Sequence, residues 1–231
     1  MMTDDEITEK WIRTAKEIGF SEAGVLNPET LKVMPLVRET CAEDKCHAYN
    51  HNWTCPPACG TLDECESRMR AYKRGILVQT TGVLRRDIDT RIYRETEQLH
   101  TEYLKVLREQ MMKVFPDMLM LGAGGCRICP KCAYPEPCRF PEKTISSMEA
   151  YGLFVTQVCR DNDLKYYLWN KNDYLYGMCV VLKVIELHKE DVVSYIQTTP
   201  QNQKSSADIY AGVCLHFAFV LHIKEVLWHI H

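Results

Sequence analysis

A chain of 231 residues with 46% hydrophobic content is long enough to bury one sizeable core, or two small ones, without a metal to hold it together. Its net charge of -3 argues against the strongly basic face that recognises nucleic-acid phosphates, so no nucleic acid is expected among its partners. Twelve cysteines stand out, yet Met1-Met2-Thr3-Asp4-Asp5-Glu6 is acidic and lacks the apolar core of a secretory signal. A cytoplasmic location follows as the expectation, and in a reducing compartment clustered thiols serve as metal ligands rather than disulfides. On the same reasoning the sequon Asn52-Trp53-Thr54 is a chance match.

In chain order, Ile7, Trp11, Ile12 and Ala15 at helical spacing predict an amphipathic helix over 5–18, with Thr3 as its cap and Gly19 as its stop. Ala23-Gly24-Val25-Leu26 reads as a short strand, and Asn27-Pro28-Glu29-Thr30 as the cap of a brief helical segment running toward Val37. A first cysteine group follows at once: Cys41, Cys46, Cys55 and Cys59, with Cys65 just beyond. Proline and glycine at the density of Cys55-Pro56-Pro57-Ala58-Cys59-Gly60 forbid regular structure, and metal–thiolate bonds would replace the burial that such a loop lacks. Thr61-Leu62-Asp63-Glu64 resembles a capping box for a helix to about Tyr72. Cys65, in its first turns, reads as a small buried hydrophobe rather than a ligand.

Gly75 to Leu84 is β-branched and glycine-bounded, hence a strand. From Ile88 to about Phe115 a stripe of Ile92, Leu99, Tyr103, Val106, Leu107, Met111 and Val114 predicts the longest helix. Met111, Met112, Met118 and Met120 read as flexible core filling rather than a soft-metal site. Met118 to Leu121 would lead, as a strand, into Gly122-Ala123-Gly124-Gly125, which does not satisfy G-x-G-x-x-G and is no dinucleotide site.

The second cysteine group is Cys126-Arg127-Ile128-Cys129-Pro130-Lys131-Cys132, continuing to Pro137-Cys138-Arg139-Phe140-Pro141. It approximates the ferredoxin run C-x2-C-x2-C-x3-C-P that wraps an iron–sulfur cubane, but the last gap holds five residues and Cys138 is followed by Arg139. Beyond it, Ser146 to Gly152 should begin a helix that Gly152 interrupts, and Leu153 to Asn162 another. Tyr166 to Trp169 and Tyr174 to Leu182 read as a hairpin across Asn170-Lys171-Asn172-Asp173. Cys159 and Cys179 stand alone in apolar contexts and read as core. The tail carries a polar stretch, Gln197 to Ser206, and an apolar run, Ala207 to Leu221, too short for a membrane span and broken by His216. His222, His229 and His231 read as surface or interface residues.

The combination of Cys41-x4-Cys46, Asn52-Trp53-Thr54-Cys55-Pro56-Pro57-Ala58-Cys59, the stretch from Gly122 to Pro141, and Ser147-Met148-Glu149-Ala150-Tyr151-Gly152 resembles an uncharacterised prokaryotic family of predicted metal-binding proteins found largely in anaerobes. The resemblance covers about residues 5 to 183 and implies a cysteine-bound metal. It implies neither a substrate nor a reaction.

Zinc prefers two separated pairs of ligands per ion, whereas three cysteines at consecutive steps of three curl around something larger, which favours iron–sulfur with zinc as runner-up. Cys41, Cys46, Cys55, Cys59, Cys126, Cys129, Cys132 and Cys138 make the candidate metal ligands, enough for one or two [4Fe-4S] clusters. Three functions compete: an electron-transfer protein with a redox protein partner, an iron–sulfur enzyme with an open iron, and a zinc-stapled interaction module. A radical S-adenosylmethionine site would need C-x3-C-x2-C, but Cys55-x3-Cys59 is followed by five residues before Cys65. No catalytic serine, histidine and carboxylate set and no phosphate loop offers itself. The expected fold is a single α+β domain over 1–183, its mixed or antiparallel sheet covered by helices and its cysteine loops at one end. Residues 184–231 form a C-terminal extension.

Overall fold

Helix α1, Asp4–Ile18, starts where the Thr3 hydroxyl accepts from the Glu6 amide at 3.2 Å and the Glu6 carboxylate accepts from the Thr3 amide at 2.6 Å. This reciprocal cap satisfies two of the helix's orphan donors, and Gly19, at φ 128°, ends the helix as its spacing predicted. The computed structural model describes residues 3–84 and 89–166, and the backbone of the strand 173–182. The remaining elements are β1 (Glu22–Leu26), α2 (Pro35–Ala42), α3 (Leu62–Arg70), β2 (Arg74–Val83), α4 (Thr90–Met111), β3 (Leu119–Gly122), β4 (Ser146–Ser147), α5 (Val155–Asp161) and β5 (Asp173–Leu182). The capping box at Thr61 is present with both of its hydrogen bonds.

The five strands form one mixed sheet in the order β1-β2-β5-β3-β4. Only β3 and β4 run parallel. Side chains alternate across a strand, and this sheet uses both faces. Ile76 and Val78 of β2 and Met120 of β3 enter one core with Trp11, Ile12 and Ala15 of α1 and Leu104, Leu107 and Met111 of α4. Leu77 and Leu121, one residue out of phase, enter a second core with Leu26, Leu31, Cys65, Met69, Met148, Tyr151, Leu153, Val158 and Cys159. Even the polar residues obey the phase: Thr80 faces His100 of α4 at 2.7 Å, and Gln79 donates to the Lys165 carbonyl at 3.0 Å and the Cys159 thiol at 3.4 Å. The fold is thus a mixed α+β domain with helices on both faces of the sheet.

Three sequence readings need correction. The segment after Asn27 is a single 3-10 turn, Pro28–Thr30, followed by extended chain. Leu31 is pulled fully into the second core, Val33 bridges Leu153, and Met34, restricted by the following Pro35, stays extended before α2 begins at that proline. In α4 the buried stripe is Thr96, His100, Leu104, Leu107 and Met111, while Leu99 and Val106 are exposed, because the sheet accepts two polar side chains that hydrophobicity alone would leave outside. Finally, Ser146–Ser147 is strand rather than helix: the edge of β3 pairs it, the Met148 amide reaches the Gly122 carbonyl at 2.8 Å, and only one 3-10 turn, Glu149–Tyr151, fits before Gly152 at φ 74°.

The first strand of the proposed hairpin falls almost wholly outside the described residues, as do the tail beyond Leu182 and its histidines. Strand β5 itself lies between β2 and β3. Among the described residues no helix is long and apolar enough to cross a membrane.

Leu107 and Leu99 give a direct check on the rotated stripe. Leu107→Ala should cost about 2–5 kcal/mol in chemical denaturation, and Leu99→Ala less than about 0.5 kcal/mol. Burial also holds the His100 imidazole well below its ordinary range, from 6.5 down to about 3. The unfolded chain takes up this proton below about 6.5 and the native one does not, so stability is full above that pH and is lost as pH falls toward 3. Urea midpoints at pH 7 and pH 5 should differ more for the parent chain than for His100→Gln.

Candidate metal centre

The sheet delivers the two cysteine groups to each other. Strand β3 ends at Gly122 and releases the second loop, while α2 and α3 bracket the first. Neither loop carries regular structure, so each has to find hydrogen-bond partners elsewhere. The first loop finds some in turns of its own, such as the Asn50 N–H to the Pro56 carbonyl at 2.8 Å, and the two loops find others in each other. The Asn52 amide donates to the Cys126 carbonyl at 3.0 Å, and the Cys126 N–H donates to the Thr54 hydroxyl at 3.0 Å. Asn52 is held for this by accepting from the amide and hydroxyl of Thr54 at 3.0 and 3.1 Å. Farther along, the Trp53 indole donates to the Glu136 carbonyl at 2.8 Å, the Tyr134 hydroxyl meets Asn50 at 3.0 Å, and the two rings pack edge to face.

Glycine 125 allows the approach. A Cβ placed there would stand 3.1 Å from the Cys55 sulfur, so only glycine leaves that thiol its full room. Cys55 is the hinge of the electrostatics as well. Burial pushes its thiol up to about 11, and repulsion from Cys46, Cys126 and Cys132 adds to the shift, so thiols of both groups share one field. Burial likewise raises Cys41 to about 12, with Glu149, Cys46 and Cys55 reinforcing it. Cys126 is raised by burial and then by Cys138, Cys132 and Cys129. Neutral thiols tolerate such crowding. As thiolates they would need a cation among them, which is the condition a bound metal meets.

Cys126, Cys129, Cys132 and Cys138 line one small concavity, with Trp53, Ile128 and Phe140 in its walls. Its free volume is about 20 Å³, room for a single water, so a cluster would have to spread the loop. Among the described residues no group of three or more His, Cys, Asp or Glu side chains is placed to hold a metal ion.

Cys59 stands apart from this arrangement. Its Sγ donates to the Ala150 carbonyl at 3.7 Å and its own carbonyl accepts from the Cys65 Sγ at 3.8 Å; hydrogen bonding with the Cys65 side chain, followed by burial, raises the Cys59 thiol. Cys65 moves the opposite way: the same bond lowers it, and the guanidinium groups of Arg68 and Arg38, at 3.5 and 3.8 Å from its sulfur, hold it there against burial. Arg68 also donates to the Cys59 carbonyl, and Arg38 to the carbonyls of Gly60 and Ala150. Cys65 is fully buried in the second core, as the sequence reading had it, yet its side chain also interacts with that of Cys59, a candidate ligand. The sequence reading missed both arginines. The signal was present for one: Cys65 and Arg68 are three residues apart, which puts them on one face of α3. Cys159 is fully buried in the second core.

Fold and loops together define a cysteine-rich α+β protein whose two cysteine loops are hydrogen-bonded to each other. The model of the family described as Predicted metal-binding protein (DUF2284) matches residues 24–182, more than half of the chain, and the chain belongs to that family. The match includes both cysteine loops and ends with β5, leaving out α1. No curated protein and no solved structure matches the chain.

The Asn52 junction makes the two loops one cooperative unit. Asn52→Ala should cost about 1–3 kcal/mol through the unpaired groups it leaves. Amide hydrogen exchange should then quicken in both 45–60 and 123–138; acceleration in the first loop alone would show that they are independent.

Proposed function

We propose that this member of a predicted metal-binding family is a cytoplasmic iron–sulfur protein, carrying one or two [4Fe-4S] clusters on Cys41, Cys46, Cys55, Cys59, Cys126, Cys129, Cys132 and Cys138. It passes single electrons to a redox protein partner in anaerobic metabolism. The observation that carries the reading is the Cys126, Cys129 and Cys132 repeat, whose thiols line one concavity with Cys138 and share an electrostatic field with Cys55 of the other loop. Consecutive steps of three suit a body that offers each thiolate its own iron, which a single tetrahedral ion does not.

Access supports electron transfer. The second-loop cysteines are half-buried rather than sealed, and the neighbouring Ile128 and Phe140 are 43% and 37% exposed, giving apolar surface against which a partner can dock close to the cluster. Surrounding thiol-rich loops with few regular hydrogen bonds also explains why folding there would be coupled to metal.

Anaerobically purified protein should be brown and contain iron and sulfide in equal amounts, about four of each per cluster. Equimolar zinc without sulfide in such a sample would overturn the proposal in favour of a zinc-stapled module. Cys129→Ala and Cys55→Ala should lower iron content, whereas Cys159→Ala, a change in the second core, should leave it unaltered.

A further inference from the structure

Beside the cysteine concavity lies a larger cavity of about 290 Å³. It reaches the low end of the size range of small-molecule sites. Trp53 and Thr144 line both spaces, so the two are separated by little more than one indole ring. The cavity's chemistry is uneven. Arg68 and Arg108 both line it, and among the described residues no carboxylate does. Met112, Met118 and Met120 supply a flexible apolar wall, and Cys59 borders the same space.

Both guanidinium groups face a cavity that no carboxylate among the described residues lines, and their acidic neighbours, Glu64 for Arg68 and Glu142 and Glu109 for Arg108, lie outside its lining. Neither is used up by the protein. Arg68 gives Nε to the Glu64 carbonyl and Nη2 to the Cys59 carbonyl and Cys65 thiol, while lying over the Tyr151 ring at 5.0 Å; its Nη1 has no partner among the described residues. Arg108 donates from Nη2 to the Glu142 carbonyl and, among the described residues, makes no other side-chain hydrogen bond. Neither arginine forms a salt bridge among those residues. Arg68 is held in place by its stacking and its carbonyl contacts, so little entropy is lost when it binds a ligand.

We propose that this cavity binds a small organic carboxylate, with its anionic end between Arg68 and Arg108 and its apolar body against Met112, Met118 and Met120. Guanidinium groups match carboxylate oxygens in plane and charge, and thioether side chains adapt to apolar bodies of varied shape. The site goes beyond the metal reading and does not depend on which metal is bound. Its position beside Cys59 sets the ligand next to the candidate metal centre, as a substrate or a modulator of that centre would be.

The test is calorimetric titration of the full-length protein, as isolated and at low ionic strength, with hexanoate, benzoate and succinate, and with hexanamide and inorganic phosphate as comparisons. At least one carboxylate should bind saturably, and hexanamide should bind at least about tenfold more weakly than hexanoate, the loss expected of a charge-assisted hydrogen bond. Arg108→Gln should weaken the carboxylate by a similar factor, while Arg94→Gln, an exposed change on the same helix, should leave it unchanged. Arg108 lies outside the cysteine loops, so unaltered iron content in Arg108→Gln separates loss of this site from loss of the metal centre. Failure of all three carboxylates to bind, equal binding of acid and amide, tighter binding of phosphate, or unchanged affinity in Arg108→Gln would each overturn the proposal.

Discussion

Irregular backbone has to satisfy its N–H and C=O groups without a ladder, and here that constraint is met by turns within the first loop, by arginine and by the opposing loop. Arg38 serves the carbonyls of Gly60 and Ala150, Arg68 those of Cys59 and Glu64, Arg70 those of Pro28, Glu29 and Leu31, and Arg108 that of Glu142. One guanidinium carries five donors in a fixed fork, so a single side chain can tie together carbonyls from separate turns. The first cysteine loop is therefore pinned by cations on its outside and by Asn52 and Thr54 on its inside. The thiols are left as the groups with unused bonding capacity.

That arrangement divides the cysteines by environment. Cys126 and Cys132 raise the cost of ionising Cys55, and Cys132 also raises that of Cys126. Cys59 and Cys65 interact beneath two guanidinium groups, which raises the first thiol and lowers the second. A cationic metal relieves the first situation, whereas positive charge already surrounds the second. Cys65 thus combines the burial of a core residue with the electrostatics of a functional thiol, and the two descriptions are compatible because α3 presents it to the base of the loop.

Much of the fold was legible because local and global signals agreed. The caps at Thr3 and Thr61, the strand around Ile76 to Val78 and the glycine stop at Gly19 each rest on a local rule that packing did not contest. The failures lie where tertiary partners outvoted pattern. His100 and Thr96 are polar in sequence yet buried, and Thr80 across the sheet supplies His100 with a hydrogen-bond neighbour that no window along α4 can reveal. Ser146–Ser147 became strand because β3 offered an edge. At the site, the cysteine spacing announced thiol chemistry, and the approach of the loops is carried by residues read otherwise: Asn52 and Thr54 looked like a chance sequon and are the junction to Cys126. Arg68 and Arg108 come from different helices, and no pattern along the chain links them.

The position of β5 has a bearing on biogenesis. It is the last strand among the described residues, yet it occupies the centre of the sheet, hydrogen-bonded to β2 on one side and to β3 on the other. Until residues 173–182 have left the ribosome, β2 and β3 have no shared neighbour, and the second cysteine loop hangs from a strand that is paired only with the two-residue β4. Two unpaired edges bearing Ile76, Leu77, Val78 and Leu121 are an invitation to pair with other nascent chains. Synthesis of this strand therefore sets the earliest moment at which β2 and β3, and with them the two cysteine loops they flank, are joined through a common neighbour.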